Sequence, residues 1–226
     1  MILTIIKYNA GNIQSVLYAL ERIGVEAVVT DNIEEIQKAD KVIFPGVGEA
    51  STAMNYLKGR NLDKVLKGLK QPVLGICLGM QLMCKHSEEN DTTCLGIFDE
   101  EVKMFRPGDD RDKEDLLALK NNQGVIVGPP SLIGEGTRVR FKVPQIGWNN
   151  IYDLKTGLFK DVRDQSYCYF VHGYYAALGE HTIATTDYVQ PYSSGLHRDN
   201  FYGVQFHPEK SADIGEQILR NFALNT

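Results

Sequence analysis

Short, continuous apolar runs that alternate with helical patterns are the feature that most restricts the fold of this chain. The runs ILTII, VEAVVT, KVIFPG and PVLGI occupy residues 2–6, 25–30, 41–46 and 72–76. Continuous apolar runs are typical of strands that are buried on both faces, as in a parallel sheet covered by helices. We therefore predict an α/β fold with a mostly parallel sheet, whose binding loops lie at the carboxyl ends of the strands.

Helical patterns lie between and after these runs. Asn12 is expected to cap a helix that ends at Gly24, and further helices are predicted at residues 50–57, 62–69 and 78–86. This regular alternation of strand and helix is typical of βαβ units, which favours parallel pairing in the first half of the chain.

The second half of the 226-residue chain has a different pattern. Residues 166–178, 181–188 and 201–209 resemble strands, several of them antiparallel, and a closing helix is expected to begin after Ser211. Residues from about 105 to 138 are rich in glycine, proline and charge. We interpret them as an insertion in a single domain that spans residues 1–226.

Charge and cysteine content exclude several function classes. The net charge is −5 and no basic block occurs, so we expect neither nucleic acid nor an anionic membrane as a partner. No run approaches the roughly 18–20 apolar residues that span a bilayer, and the N-terminus has no basic region typical of a signal peptide. The four cysteines include no CxxC pair, so we expect a cytoplasmic protein without metal or cofactor.

One cysteine has the surroundings of a nucleophile. Cys77 stands in GICLGMQ, where a predicted strand passes into a predicted helix. A strand that turns into a helix through G-x-C-x-G lifts the side chain out of the sheet and forms a nucleophile elbow. Unpaired amides at the start of the helix favour a thiolate, and the Leu78 amide points to where an oxyanion forms. Cys84, Cys94 and Cys168 are interpreted as small buried residues.

A cysteine nucleophile also needs a base and a group that orients the base. His207 follows the predicted strand YGVQF, and Glu209 stands two residues later. In an extended chain, residues two apart point to the same side, so the Glu209 carboxylate can hold one ring nitrogen while the other faces the thiol. We therefore predict that Cys77, His207 and Glu209 act together.

Three motifs then make a family resemblance specific. PGVG, GICLGMQLM and GVQFHPEKS, in this order, resemble the three signatures of the class I glutamine amidotransferases. The resemblance implies a flavodoxin-like, mostly parallel sheet with an added antiparallel portion, and it implies hydrolysis of L-glutamine. It also implies these roles: Cys77, His207 and Glu209 as the catalytic triad, Val47, Gly48 and Leu78 as the oxyanion hole, and Gly48, Gln81 and Glu89 as substrate contacts.

Two further stretches resemble one branch of that class. YNAGNIQSV and KVPQIGWNN are similar to segments of the glutaminase subunit of imidazole glycerol phosphate synthase, which works in histidine biosynthesis. That resemblance implies a heterodimer with a separate (β/α)₈-barrel cyclase subunit. The segment 146–150 would face the cyclase, with Gln145, Trp148, Asn149 and Lys210 at the interface. The alternative for Trp148 is a core aromatic residue.

Two positions depart from the family, and two other functions stay open. Lys7 stands where an acidic residue is common, and Gly173 stands where many class members have a small hydroxyl residue near the substrate carboxylate. The alternative functions are a class I glutaminase that serves a synthase for pyridoxal phosphate, anthranilate or purines, and a catalytically silent binding module of the same fold.

Overall fold

The computed structural model describes residues 1–8, 12–106 and 142–226. Strands and helices alternate up to residue 83, in the order β1 Leu3–Ile6, α1 Ile13–Arg22, β2 Ala27–Thr30, α2 Ile33–Lys38, β3 Lys41–Phe44, α3 Ala50–Gly59, α4 Leu62–Gly68, β4 Val73–Ile76 and α5 Leu78–Met83. The remaining elements are mostly strands, in the order β5 His86–Ser87, β6 Thr92–Thr93, β7 Glu101–Met104, β8 Gln145–Ile151, β9 Ser166–His172, β10 Tyr174–Ala176, β11 Thr182–Asp187, β12 Pro191–Arg198, β13 Phe201–Val204 and α6 Ala212–Asn225.

The sheet has a parallel half and a mostly antiparallel half. Strands β2, β1, β3, β4 and β13 are neighbours in that order and pair in parallel. This is the flavodoxin-like order, which confirms the predicted α/β fold with a mostly parallel sheet. Beyond β13, strands β12, β10 and β7 continue antiparallel, and β8 pairs with β9 in a separate two-stranded sheet.

Helices cover both faces of the parallel half, which explains its continuous apolar strands. One hydrophobic cluster lies under α1 and α6 and includes Leu20 and Phe222. The other lies under α2 to α5 and includes Ile36 and Leu57. Within the described ranges, no helix is both long and apolar enough to cross a membrane.

Several predicted boundaries differ from the structure. Helix α5 ends at Met83 rather than residue 86, because the Met83 carbonyl accepts the amides of Ile97 and Phe98 instead of continuing the helix. Strand β12 carries no strand-like sequence pattern and was not expected. The insertion expected near 105–138 lies, apart from residues 105 and 106, outside the described residues.

Candidate active site

The cysteine of the G-x-C-x-G motif lies at a sharp turn between β4 and α5. Cys77 has φ +53° and ψ −111°, a conformation that L-residues rarely adopt. A Cβ at Gly79 would overlap the Phe44 carbonyl oxygen, and a Cβ at Gly75 would overlap the Met83 side chain. The motif therefore needs both glycines to let α5 start directly against the end of β3, and the geometry is that of a nucleophile elbow.

The histidine and its carboxylate are buried behind the elbow. His207 Nδ1 lies 2.8 Å from Glu209 Oε1, and both side chains are almost wholly buried. Ser211 fixes this segment against β9: its hydroxyl donates to the His207 carbonyl and accepts the Tyr169 amide. Ser211 thus precedes α6 as expected, but its side chain makes no helix-cap hydrogen bond.

The charged state of His207 follows from its partners. Burial disfavours its imidazolium form, but hydrogen bonds to Cys77 and Glu209 and their negative charges outweigh burial and raise the pKa of His207 to about 10. At neutral pH the ring is therefore protonated, with one nitrogen held by Glu209 and the other available to Cys77. The structure brings these three residues together, although 130 positions separate Cys77 from His207 in the sequence.

A pocket opens over the elbow and encloses about 290 Å³. Its size is at the lower end of the range of about 300–1,000 Å³ for small-molecule sites. Most residues that line it were predicted for the site, namely Val47, Gly48, Cys77, Leu78, Gln81, Glu89, His207 and Lys210, and the others are Val171, His172, Gly173 and Tyr174. Glu209 lies behind His207 rather than in the wall.

The glycine-rich loop after β3 lies directly against the elbow. A Cβ at Gly46 would overlap the backbone nitrogen of Gly79 and the side chain of Leu78, so the loop approaches α5 backbone to backbone. Gly48 has φ +103°, where glycine is favoured. This contact brings the peptide groups of Val47 and Gly48 to the same wall of the pocket as Leu78.

Two polar side chains, Gln81 and Glu89, also line the pocket. Gln81 is buried, and its amide nitrogen donates to the Tyr174 carbonyl and to Gln205 Oε1, both at 2.8 Å. Its oxygen is left to accept a hydrogen bond in the pocket. Glu89 lies in the turn after β5, where its carboxylate accepts the Ala50 amide at 2.7 Å. Burial raises the pKa of Glu89, and that hydrogen bond partly offsets the effect.

Three of the predicted interface residues lie on the two faces of β8, and Lys210 lies in the turn before α6. Trp148 is 53% exposed and packs edge-on against Tyr169, so it is not a core residue. Lys210 is exposed, with its ammonium 5.9 Å from the Tyr169 ring centre. Gln145 and Asn149, in contrast, are buried: Gln145 accepts from the Tyr192 hydroxyl and Asn149 donates to the Asp187 carbonyl. Their side chains therefore support β8 from inside and do not reach the exposed face.

Three polar residues near the site were missed by the sequence analysis. Gln205 Nε2 lies 3.7 Å from the Cys77 sulfur, and the Tyr8 hydroxyl donates to the Pro45 carbonyl at 2.7 Å. His172 lies in the pocket wall, where burial and the charge of His207 outweigh a hydrogen bond with the Tyr174 carbonyl and lower the pKa of His172 to about 3. No motif marks these residues, because Gln205 and Tyr8 reach the site through contacts between segments distant in sequence, and His172 faces it only through the pairing of β9 with β8.

Comparisons with known proteins agree with this geometry. Residues 4–226 match the family described as "Glutamine amidotransferase class-I". The chain is 51% identical over 98% of both chains to "Imidazole glycerol phosphate synthase subunit HisH" of Bacteroides fragilis, and 50% identical, with the same coverage, to the protein of that name from Bacteroides thetaiotaomicron. The protein of that name from Idiomarina loihiensis is 37% identical, over 98% of this chain and 97% of its own.

Solved structures agree at the level of the fold. PurLQS from Thermotoga maritima has a TM-score of 0.62 at 13% identity, covering 98% of this chain and 97% of that one. A structure described as glutamine amidotransferase has a TM-score of 0.64 at 15% identity, covering 97% and 96%. At these identities the likeness concerns the fold alone. The family match and the close relatives together establish that this chain belongs to the class I glutamine amidotransferases, in the branch of the HisH subunit of imidazole glycerol phosphate synthase.

Proposed function

We propose that this chain is the glutaminase subunit of imidazole glycerol phosphate synthase, and that Cys77, His207 and Glu209 hydrolyse glutamine to glutamate and ammonia. The single observation that carries the chemical part is the arrangement at the elbow. A cysteine held at positive φ lines the same pocket as a histidine whose Nδ1 is held by a buried carboxylate. This is the arrangement that an activated thiol requires.

In the first half-reaction the Cys77 thiolate attacks the side-chain amide carbon of glutamine. A sulfur–carbon bond forms, and the negative charge that develops on the amide oxygen is stabilised by backbone amides of Leu78 and of the Val47–Gly48 loop. The protonated His207 then gives its proton to the amide nitrogen as the carbon–nitrogen bond breaks. Ammonia leaves, and a glutamyl thioester remains on Cys77.

In the second half-reaction the neutral His207 ring accepts a proton from a water molecule. The resulting hydroxide attacks the thioester carbon, the sulfur–carbon bond breaks, and the Cys77 thiolate is regenerated. The new carboxylic acid gives its proton to solvent water, and glutamate leaves. Glu209 holds the same ring nitrogen in both steps, so the imidazole keeps one orientation. The cycle returns every group to its initial state.

Substrate recognition uses the polar groups that remain free in the pocket. The Gln81 oxygen and the Glu89 carboxylate both accept hydrogen bonds, which suits the α-ammonium group of glutamine. Gly173 offers only backbone groups, so the α-carboxylate is bound there without a side-chain hydroxyl. This assignment is expected to give weaker glutamine binding than a serine at residue 173 would give.

The partner is a cyclase subunit that docks on the exposed face of β8 and β9. Ile146, Trp148 and Tyr167 are between 53% and 64% exposed on this face, and Lys210 lies beside it at the pocket. Exposed aromatic and aliphatic side chains of this kind favour a protein interface. Docking here would also cover the pocket, which keeps ammonia from escaping into water, where it becomes unreactive ammonium.

The decisive variant is Cys77→Ala in the complex with the cyclase. Loss of the nucleophile should abolish glutamine-dependent synthesis, while synthesis from added ammonia and binding to the cyclase should stay within about twofold of wild type. Cys168→Ala, which changes a cysteine buried away from the pocket, is the matched control and should retain both activities. Glutamine turnover by Cys77→Ala would contradict the assigned role of Cys77.

A second experiment separates this function from the alternatives. Glutaminase activity is measured after mixing the chain with the cyclase and its nucleotide substrate, and separately with synthases for pyridoxal phosphate, anthranilate or purines. Activity should rise only with the cyclase. A rise with another synthase would move the chain to that pathway, and no turnover with any partner would favour a silent binding module.

A further inference from the structure

A chain of buried polar side chains leads from β8 to the pocket, and the mechanism above does not use it. The Tyr192 hydroxyl lies 3.0 Å from Gln145 Oε1 and 3.3 Å from His172 Nε2. All three side chains are more than nine-tenths buried. Gln145 is the first residue of β8, Tyr192 lies in β12 of the large sheet, and His172 ends β9 in the pocket wall. The chain thus joins three elements.

At its pocket end, this row of hydrogen-bonded side chains reaches Gln81, a proposed glutamine contact, and Cys77, the proposed nucleophile. His172 Nδ1 donates to the Tyr174 carbonyl at 2.7 Å, and the same carbonyl accepts the Gln81 amide. Gln81 also donates to Gln205, whose amide nitrogen lies 3.7 Å from the Cys77 sulfur. Since Nδ1 of the neutral His172 ring is the donor, Nε2 has to be the acceptor, and it faces Tyr192.

Tyr192 has one hydroxyl proton, for which Gln145 Oε1 and His172 Nε2 compete, and this competition gives the row of side chains two arrangements. The Thr186 hydroxyl, which donates to the Asn150 carbonyl, is a further neighbour of Tyr192. In the first, Tyr192 donates to the Gln145 oxygen, which leaves His172 Nε2 unsatisfied, and the Gln145 nitrogen has no partner among the described residues. In the second, the Gln145 amide is rotated by half a turn and donates to Tyr192, whose proton then goes to His172. Amide oxygen and nitrogen have nearly the same shape, so this rotation needs little space.

The other end of this row of side chains, Gln145, lies under the proposed docking face. Side chains alternate along a strand, so Gln145 points inward while its neighbour Ile146 and then Trp148 point outward on β8. A protein that presses on Ile146 and Trp148 moves the backbone that carries Gln145. The second arrangement has one hydrogen bond more than the first, so a displacement of Gln145 that makes or breaks its contact with Tyr192 shifts the balance between them.

We propose that Tyr192, linked to Gln145 and His172, is a positioning residue that transmits docking on β8 to the glutamine pocket. This inference rests on the proposed function, because it requires a partner on the β8–β9 face. Docking selects the arrangement in which the chain runs from Gln145 through Tyr192 to His172. His172 then holds the Tyr174 carbonyl, and through it Gln81, in the position that productive glutamine binding requires.

The test compares Tyr192→Phe with Tyr152→Phe in the full heterodimer. Phenylalanine keeps the ring contacts of Tyr192 with Phe105 and Phe170 but removes the hydroxyl. Tyr152 is the matched control, because its hydroxyl bonds to Asp187 just beyond β8 and is not part of the chain. Glutaminase kcat and KM are measured for the free subunit, for the complex, and for the complex with the cyclase substrate.

For Tyr192→Phe we expect turnover by the free subunit and ammonia-dependent synthesis within about twofold of wild type. The stimulation by docked, substrate-loaded cyclase should fall at least about tenfold, which lies within the usual range of coupling between sites. Tyr152→Phe should keep its stimulation within about twofold. Equal losses in the two variants, or full stimulation in Tyr192→Phe, would overturn the proposal.

A second variant decides the question if Tyr192→Phe does not fold. Gln145→Met keeps the length of the side chain but removes its amide, so the same loss of stimulation is expected while the cyclase still copurifies. Full stimulation in Gln145→Met would overturn the proposal. Absence of stimulation in the wild-type complex would instead refute the proposed function. The side chains of Gln145, Tyr192 and His172 would then have no effect of docking to transmit.

Discussion

The chemistry of the site depends on the local state of a few residues. Cys77 holds a backbone conformation that costs about 1–3 kcal/mol and that persists only when the surroundings impose it. Here the surroundings are the close approach of Gly79 to Phe44 and of Gly46 to Leu78. The strained turn places Cys77 at the pocket, and in the proposed mechanism the His207–Glu209 pair supplies the proton that the departing ammonia needs.

Glu209→Gln tests the origin of the His207 charge. His207 is fully protonated well below its pKa and loses its proton as the pH rises through about 10. Removing the Glu209 charge takes away part of what raises this pKa, so the alkaline limb of kcat/KM should move to lower pH. The rate at neutral pH should fall by about 10²–10⁴-fold. A limb that stays at the wild-type pH would contradict the role of Glu209.

Gly173→Ser tests how the substrate carboxylate is bound. A Cβ at residue 173 would meet only Val143 and Pro144 at ordinary distances of 3.8 and 3.9 Å, so the side chain fits. One added hydrogen bond should lower KM for glutamine by about three- to tenfold. Gly173→Ala adds the same Cβ without a hydroxyl and should leave KM within about twofold. Equal KM values for the two variants would show that the hydroxyl plays no part.

Among single residues, the sequence predicted those that belong to a short motif and missed those that belong to none. The G-x-C-x-G turn and the His207–Glu209 spacing express their geometry within a few residues, so they were found. Tyr8, His172 and Gln205 come to the site from three separate strands: Tyr8 follows β1, His172 ends β9, and Gln205 follows β13. Burial of Gln145 and Asn149 was also not predicted, because it depends on which face of β8 turns inward.

Among the elements, the loop after β3 is the one whose conformation the proposed mechanism needs most directly. In that mechanism the loop presents backbone amides toward the oxyanion. Tyr8 holds its first peptide group through the hydrogen bond to the Pro45 carbonyl. The Tyr8 ring also packs on Phe44 and Tyr56. Burial raises the pKa of Tyr8 far above its ordinary value, so the hydroxyl remains a donor at any relevant pH.

Tyr8→Phe should therefore lower kcat about tenfold with KM within about twofold, since the loop loses an anchor that serves the transition state more than the bound substrate. Tyr56→Phe is the control: its ring packs against Tyr8, but its hydroxyl has no hydrogen bond among the described residues. Steady-state glutaminase kinetics of both complexes give the comparison. A change confined to KM would contradict a role in the oxyanion hole.

The prediction of elements succeeded where the pattern was strong. The βαβ units and the parallel order follow from continuous apolar strands, and both are confirmed. Strand β12 was missed because Ser193, Ser194 and Gly195 have weak strand preference. Its formation depends on pairing with β11 and β13, and the Ser193 hydroxyl is satisfied there by Thr182 at 2.7 Å.

Over the whole molecule, β9 connects the two regions that the function needs. Its end, Val171 and His172, lines the pocket, whereas Tyr167 and Tyr169 lie on the face shared with Trp148. A partner on that face therefore contacts the strand that also forms the site.

Single-domain organisation across residues 1–226, with an insertion near 105–138, stays a prediction.

Trp148→Ala tests the docking face. Central aromatic residues of an interface contribute 2 kcal/mol or more, so binding to the cyclase should weaken by about 30-fold or more in a calorimetric titration. Tyr18→Ala, on α1, changes an aromatic residue that is equally exposed and should alter the affinity by less than about twofold. Equal affinities for the two variants would remove the β8–β9 face as the docking site.

The most direct test of the central claim is mass analysis of the cysteine peptides after the heterodimer, turning over glutamine, is quenched in acid. The account predicts one covalent adduct, with the mass of glutamine less ammonia, on the peptide that contains Cys77. The peptides of Cys84, Cys94 and Cys168 should remain unmodified. In the His207→Ala variant, the adduct on Cys77 should form more slowly than in the wild type. An adduct on another cysteine, or rapid turnover with no adduct on Cys77, would contradict the account.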